Sequence, residues 1–154
     1  MKAIESYTKY FLAHREVTLE LVKKIEQENY SYQPTPTSMT AEKLVAHMAV
    51  SFYSFVSVVK GGDASTMRQS INRSDSNLYD FAKDLTNQTV EIIQSLTEEE
   101  LNTIIDLTNS LGIKVKGSRL LQIAMDHEIH HKGSLFVYVR EMGHTDLPMF
   151  VSKG

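Results

Sequence analysis

The sequence predicts an all-α fold, a four-helix bundle with a small β-hairpin or irregular insert between the third and fourth helices. Apolar residues recur every three or four positions along four segments, which is the periodicity of helices with one buried face. The chain has 154 residues, of which 42% are hydrophobic, and this is enough for one core. Four amphipathic helices of this length favour a bundle. We therefore expect a single domain over residues 1–154.

The first two helices are expected over residues 3–28 and 40–59. One face of the first helix carries Ile4, Tyr7, Phe11, His14, Thr18, Leu21 and Ile25. In the second helix, Ser38 or Thr40 is a candidate N-cap because its side-chain oxygen can accept a bond from a free backbone N–H. One face of this helix carries Leu44, His47, Met48, Ser51, Phe55 and Val58.

The third helix and the insert follow an irregular linker. The helix is expected over residues 76–96, after the cap-like Ser74-Asp75-Ser76. The sequence Thr97-Glu98-Glu99-Glu100 has the spacing of a capping box, so it predicts a short turn of helix. Residues 103–107 and 113–116 are rich in β-branched side chains and flank a turn-like segment, which predicts a small hairpin.

The fourth helix is expected over residues 118–142, and it holds three of the six histidines. Ser118 is its candidate N-cap, and Gly143 suits the left-handed position that ends many helices. His127 and His131 are four residues apart, so they project from one face. The same face carries Leu120, Ala124, Leu135 and Tyr138. The histidine pair is therefore expected to point into the bundle.

A histidine pair one turn apart can bind a divalent cation, but two ligands rarely suffice. His47 lies on the apolar face of the second helix and is the natural third ligand. One buried histidine is ordinarily a hydrogen-bonded core residue, whereas three buried together need something that links them. We predict that His47, His127 and His131 hold one divalent metal ion and leave one to three positions for water or substrate.

The remaining histidines are assigned lesser roles. His14 occupies a seam position on the first helix, where it is either a core residue or a fourth ligand. His130 lies about 100° round the helix from His131, so we expect it on the flank, where it packs or supports a ligand. His144 follows the last helix and is expected in a loop.

The segment from His127 to His131 also fits the H-E-x-x-H motif of zinc peptidases. The elongated form of that motif fails, because Ser134 stands where it needs glycine and Val137 where it needs histidine. Little strand is predicted to hold a peptide substrate. We therefore expect Glu128 near the rim, as a helix-surface residue or a support for a ligand, and not as a peptidase base.

Composition limits the classes of function. The net charge of −3 argues against a general nucleic-acid or membrane-surface binder. The chain has no cysteine, which rules out disulfides, thiolate ligands and a cysteine nucleophile. The N-terminus lacks the apolar run of a signal peptide, and no stretch approaches about 18 consecutive apolar residues. We expect a cytoplasmic protein with a small-molecule substrate and no nucleic acid or membrane partner.

The chain resembles the DinB/YfiT-like superfamily of metal-binding four-helix bundle proteins. The resemblance is carried by "LVAHM" in the second helix, "GSRLLQIAMDHEIHHKGSL" in the fourth and "YVREMG" at its end. It implies an up-down-down-up bundle, a metal triad at His47, His127 and His131, nickel or zinc as the metal, and homodimers. Ser134 departs from the glutamine that commonly follows the glycine in this superfamily.

The resemblance also implies a reaction. Better-understood relatives are thiol-dependent transferases and isomerases that use low-molecular-weight thiols such as bacillithiol or mycothiol. We expect a thiol S-transferase that acts on small electrophiles, with such a thiol as cosubstrate and residues 60–73 as a mouth or lid. No Ser-His-Asp set is visible, so the nucleophile must come from solvent or a cosubstrate. A metal-dependent hydrolase and a non-catalytic metal-binding or stress-related protein are the alternatives.

A homodimer is expected on a second ground. The first two helices carry several aromatic residues that one bundle is not expected to bury entirely. They include Tyr10, Phe52 and Tyr53.

Overall fold

Four long helices form the body of the protein in the computed structural model. The structure describes residues 2–68, 71, 73 and 77–153. The long helices are α1 (Lys2–Lys23), α2 (Ala41–Gly61), α3 (Leu78–Ser95) and α6 (Gly117–Glu141). Helices α1 and α2 each pack against both α3 and α6. The predicted helical fold is confirmed, whereas the up-down-down-up order stays a prediction.

A short insert connects α3 to α6. It consists of α4 (Glu98–Asn102), β1 (Ile104–Leu107), α5 (Thr108–Leu111) and β2 (Ile113–Lys116). The strands pair antiparallel, with Ile104 opposite Lys116 and Leu107 opposite Ile113. The predicted hairpin is confirmed, but its turn is a short helix that Gly112 ends at a φ of +71°. Two 3-10 turns, Gln27–Asn29 and Ala64–Arg68, lie in the connections on either side of α2.

Side-chain caps fix the start of three helices. The Thr40 side chain accepts a bond from the Lys43 N–H, so Thr40 and not Ser38 is the N-cap of α2. Thr97 and Glu100 form both bonds of the predicted capping box at α4. Asn77 caps α3 through the Asp80 N–H. The predicted caps Ser74, Asp75 and Ser76 lie outside the described residues.

Helix α6 ends as predicted but begins differently. The Gly143 N–H donates to the Arg140 carbonyl and the His144 N–H to the Val139 carbonyl. This is the Schellman arrangement, with Gly143 at a φ of +100°. Ser118 is not the N-cap, because the helix already begins at Gly117. Gly117 packs closely against α4, and this packing determines where α6 begins. A Cβ added at Gly117 would lie 2.6 Å from the Glu100 carbonyl oxygen.

Helix α1 is shorter than the predicted 3–28. It ends at Lys23, where the N–H groups of Lys24 and Ile25 bond to carbonyls three residues earlier and tighten the turn. Ile25 is buried in the core, so the chain turns there to pack it and does not extend the helix.

The buried apolar residues form two clusters along the bundle. The cluster nearer the hairpin includes Phe11 of α1 and Phe52 of α2, whose ring centroids are 4.4 Å apart. Phe52 is only 1% exposed, so it is not among the aromatic residues that the bundle leaves unburied. Its position opposite Phe11 buries it inside one chain. Tyr10, in contrast, is 48% exposed.

Helix α2 is long and apolar enough to cross a membrane, by length and composition alone. It is the one such helix among the described residues. A core helix of a soluble protein passes the same test, and α2 packs between α3 and α6 with Leu44, Met48 and Phe52 buried. Its hydropathy is explained by this central position.

Candidate metal centre

The contact between α2 and α6 brings the three predicted histidines together. His47 lies on the α2 face that packs against α6. His127 and His131 lie one turn apart on α6, between residues that the periodicity also places inside. These neighbours, Leu120, Ala124, Leu135 and Tyr138, are all buried as predicted. The apolar face of α6 therefore carries two imidazoles to α2.

The ligand nitrogens of the three triad histidines lie close together. His127 Nε2 lies 3.0 Å from His47 Nε2 and 3.2 Å from His131 Nε2. One ligand nitrogen from each ring lies within 4.8 Å of the others. Metal–nitrogen bonds of about 2.0–2.1 Å at tetrahedral or octahedral angles separate adjacent nitrogens by about 2.9–3.4 Å. The two closest separations therefore match those of neighbouring metal ligands.

The donor chemistry of this cluster fits a divalent cation. A ring nitrogen carries either one proton or one in-plane lone pair. His127 Nε2 cannot satisfy both of its imidazole neighbours by hydrogen bonds, whereas a cation can accept a lone pair from all three rings. In the part of the chain that the structure describes, this is the one group of three histidine or acidic residues close enough to hold a metal ion.

The site keeps its imidazoles neutral. Burial is the main cause that lowers the pKa of His47 and of His127, and His47 lowers that of His127 further. Burial and then the neighbouring His127 and His47 rings lower the pKa of His131 to about 4. Neutral imidazole is the form that binds metals. The triad is therefore ready for a cation at neutral pH without first losing protons.

Neighbouring side chains hold the rings from the sides. Phe55 places its ring edge-to-face with His127, with the centroids 5.8 Å apart. Ser51 Oγ lies 3.4 Å from His47 Nδ1, which directs the Nε2 of that ring toward the other two histidines. The His130 ring is exposed and lies 4.8 Å from that of His131. His130 is thus on the flank, as predicted.

A surface pocket of about 410 Å³ opens beside the triad. Its walls come from α6 and from the segment that precedes α2. His131 lies in its lining, with Ser134 and Val137 of α6 and with Pro34 and Met39 opposite. The described residues of the predicted lid, 60–73, do not line this pocket; Pro34 and residues 37–39 form the wall opposite α6. A molecule in the pocket would contact the His131 side of the site.

His14 is not a fourth member of the cluster. Its Nδ1 lies 2.6 Å from the Nζ of Lys132, which also donates to the carbonyl of Phe150. The Ser152 N–H donates to the Ala13 carbonyl at 2.8 Å, so these contacts hold the C-terminal segment against α1. His14 is therefore a buried core histidine, the first of its two predicted alternatives. His144 lies in a loop, as predicted.

Glu128 is not at the rim, and this corrects the sequence prediction. It is 1% exposed, and its two oxygens accept bonds from Arg15 at 2.8 and 2.9 Å and from Thr18 at 2.7 Å. Burial opposes ionisation, but the Arg15 guanidinium holds the pKa of this carboxyl below its usual value. The available signal was Arg15 itself, a charged residue beside the apolar stripe of α1. Glu128 is thus a buried carboxylate whose two oxygens bond to Arg15 and Thr18 and do not face solvent.

These features define a class of small helical proteins with a three-histidine site between two helices. The sequence profile of the DinB family matches residues 1–152, and the chain belongs to this family. A similar protein of Bacillus subtilis (strain 168), described as uncharacterized protein YjoA, is 53% identical over 141 residues. The match covers 92% of each chain.

Two solved structures are also similar. The crystal structure of a DinB-like protein of Bacillus subtilis, YjoA, has a TM-score of 0.89 at 50% identity, covering 96% of this chain and 99% of that one. A DinB-like protein of Bacillus cereus ATCC 10987 has a TM-score of 0.74 at 22% identity, covering 94% and 95%. The second likeness shows the fold alone. The predicted family is confirmed, and so is its helical fold.

Proposed function

We propose that this protein binds one divalent metal ion through His47, His127 and His131 and uses it on a small molecule. The convergence of three ring nitrogens carries the proposal, with two separations of 3.0 and 3.2 Å. Imidazole suits zinc and nickel, which are the metals we propose. Since His14 bonds elsewhere, the three ligands leave at least one position for water or substrate.

The proposed reaction is transfer of a low-molecular-weight thiol to a small electrophile. A bound divalent ion would act as a Lewis acid that lowers the pKa of a thiol or water beside it. The thiol proton goes to solvent, the sulfur bonds to the electrophilic atom, and the leaving group departs with its electron pair. The chain has no cysteine, so the sulfur must come from the cosubstrate.

The surroundings of the triad support a thiol over water as the nucleophile. Metallopeptidases of the H-E-x-x-H type activate water with the glutamate. Here Arg15 and Thr18 occupy both oxygens of Glu128. A thiol needs no such base once its pKa is lowered. The described lining of the pocket holds hydroxyl, imidazole and apolar groups without lysine, arginine, aspartate or glutamate, so it suits an uncharged acceptor.

Metal-dependent hydrolysis is the second candidate function. It is favoured by His130, which is exposed beside His131 and offers a base that could take a proton from water. The third candidate, metal binding without turnover, is what remains if neither reaction is observed.

The test offers bacillithiol and 1-chloro-2,4-dinitrobenzene to zinc- and nickel-loaded protein, with His47→Ala as the inactive variant. His144→Ala is the matched control, because His144 lies in the loop after α6. We expect a rate above the uncatalysed reaction for the wild type and His144→Ala, and none for His47→Ala. No such rate with several thiols and electrophiles would exclude the transferase, and equal rates in His47→Ala would exclude the metal from the mechanism.

A further inference from the structure

A buried ion pair connects α1 to α6 in the middle of the bundle. Arg15 of α1 donates from Nε and from one terminal nitrogen to the two carboxylate oxygens of Glu128, at 2.9 and 2.8 Å. Both residues are 1% exposed. Thr18, one turn after Arg15, donates to the same carboxylate at 2.7 Å. The carboxylate is therefore fixed in position and in orientation.

The same guanidinium also reaches the other two long helices. It donates to Thr86 Oγ1 of α3 at 3.0 Å and to the Met48 carbonyl of α2 at 3.4 Å. Its cationic carbon lies 4.9 Å from the centre of the Phe11 ring. One side chain thus connects all four long helices. Two of its contacts lie directly beside ligands of the triad, because Met48 follows His47 and Glu128 follows His127.

Stability alone does not account for this network. The desolvation of two buried charges offsets most of their attraction, and apolar residues of similar size often stabilise a core as well or better. Geometric specificity is a second consequence of such a pair. A rotation of α6 by one residue would turn its imidazoles by about 100°. To bring two ring nitrogens on different helices within 3.0 Å of each other, the rotation of α6 must be fixed much more closely than by one residue.

We propose that Arg15, Glu128 and Thr18 are positioning residues for the histidine triad. They do not contact the proposed metal ion. They fix the rotation and height of α6 against α1 and α2, so that His127 and His131 meet His47. The glutamate of the H-E-x-x-H segment then has a structural assignment: it orients the helix that carries the ligands. The proposal rests on the metal site proposed above.

A matched pair of buried threonines tests this role. Thr18→Val removes a hydroxyl that holds Glu128, whereas Thr89→Val removes a buried hydroxyl that has no hydrogen-bond partner among the described residues. Co²⁺ is titrated into each metal-free protein and followed by its visible absorption. We expect Thr18→Val to weaken Co²⁺ binding about tenfold, the scale of supporting residues around metal sites, and to shift the spectrum. Thr89→Val should match the wild type. Equal affinities and spectra in all three proteins would overturn the proposal.

A double variant separates positioning from stability. Arg15→Met/Glu128→Leu removes both charges together, so its free energy of unfolding should stay close to the wild-type value or rise. Positioning predicts a Co²⁺ affinity at least about tenfold lower all the same. A folded double variant with wild-type affinity and spectrum would show that the pair is only structural. If this variant does not fold, the two threonine variants decide.

The metal-free protein provides a readout that does not depend on the proposed function. The ring nitrogens of histidine report their hydrogen bonding in ¹H–¹⁵N NMR spectra. Thr18→Val should move the signals of the triad histidines, and Thr89→Val should leave them in place. If the wild type binds no Co²⁺, the proposed metal site is wrong. The NMR comparison still tests whether Thr18 positions the triad histidines. Unchanged triad signals in Thr18→Val would then reject it.

Discussion

His131 has the largest resolved lowering of pKa among the triad histidines. Its pKa falls from 6.5 to about 4 because burial and the two neighbouring rings disfavour a positive charge. Imidazoles in an apolar core usually find a hydrogen-bond partner or lose stability. Here the partners are other imidazoles. A metal cation can accept a lone pair from all three rings, whereas a single proton cannot be shared among them.

This lowered pKa predicts how the stability of the metal-free protein depends on pH. Because the folded pKa lies below the unfolded one, the unfolded chain takes up the proton first as the pH falls from 6.5 toward 4. The free energy of unfolding should therefore decrease through this window. The free energy of unfolding of His131→Asn should decrease less over the same window, because asparagine takes up no proton there. Urea unfolding at about pH 7 and about pH 5 measures both proteins. Identical pH dependence in the two would contradict the assigned pKa.

The positions of His127 and His131 were predictable from the sequence, whereas the burial of Glu128 was not. The spacing of His127 and His131 places both on the inner face of α6, because helical periodicity is a local property. The burial of Glu128 depends on Arg15, which is 113 positions away in the sequence. A helical wheel puts an acidic side chain at the rim when no partner is known. The donors to this carboxylate, Arg15 and Thr18, can be identified only once the packing of the helices is known.

At the scale of elements, α6 carries two glycines in opposite environments. Gly117 lies against α4, where a Cβ would be 2.6 Å from the Glu100 carbonyl oxygen and 2.9 Å from Val59 Cγ1. Gly133 lies within the helix, and a Cβ there would meet nothing within 4 Å. The first glycine is required by a close approach of two backbones. The second has no such requirement.

The two glycines predict opposite effects of one substitution. Gly117→Ala should lower the free energy of unfolding by about 1–3 kcal/mol, because the backbone of α4 must move. Gly133→Ala should raise it by about 0.5–1 kcal/mol, because alanine loses less backbone entropy in a helix. Urea denaturation of both variants beside the wild type measures the difference. Stabilisation by Gly117→Ala would show that the contact with α4 is not tight.

The elements were largely predictable where a local signal existed. Thr40, Thr97 and Gly143 form the caps and the terminus that their residue types indicate. The end of α1 and the start of α6 were not predictable, because tertiary packing sets them. Burial of Ile25 ends α1 early, and contact with α4 begins α6 at Gly117. Helix boundaries without a capping side chain depend on neighbours that the local sequence does not contain.

At the scale of the whole molecule, self-association stays a prediction. Phe52 no longer supports it, since the core buries this ring. Three hydrophobic side chains, those of Tyr10, Met149 and Phe150, are 48–63% exposed. Hydrogen bonds of Ser152 and Lys132 hold the segment that carries Met149 and Phe150 in place beside α1. We expect a homodimer in light scattering at micromolar concentration, with twice the 17.5 kDa mass of one chain. A particle of 17.5 kDa at that concentration would contradict it.

We propose that three histidines from two helices form one metal site. Its most direct test is the metal content of the purified protein after incubation with Zn²⁺ or Ni²⁺ and extensive dialysis. His131→Ala removes a ligand, and His130→Ala is the matched control because its exposed ring lies beside the triad without belonging to it. We expect one equivalent of metal in the wild type and in His130→Ala and almost none in His131→Ala. Equal metal content in all three proteins would contradict it.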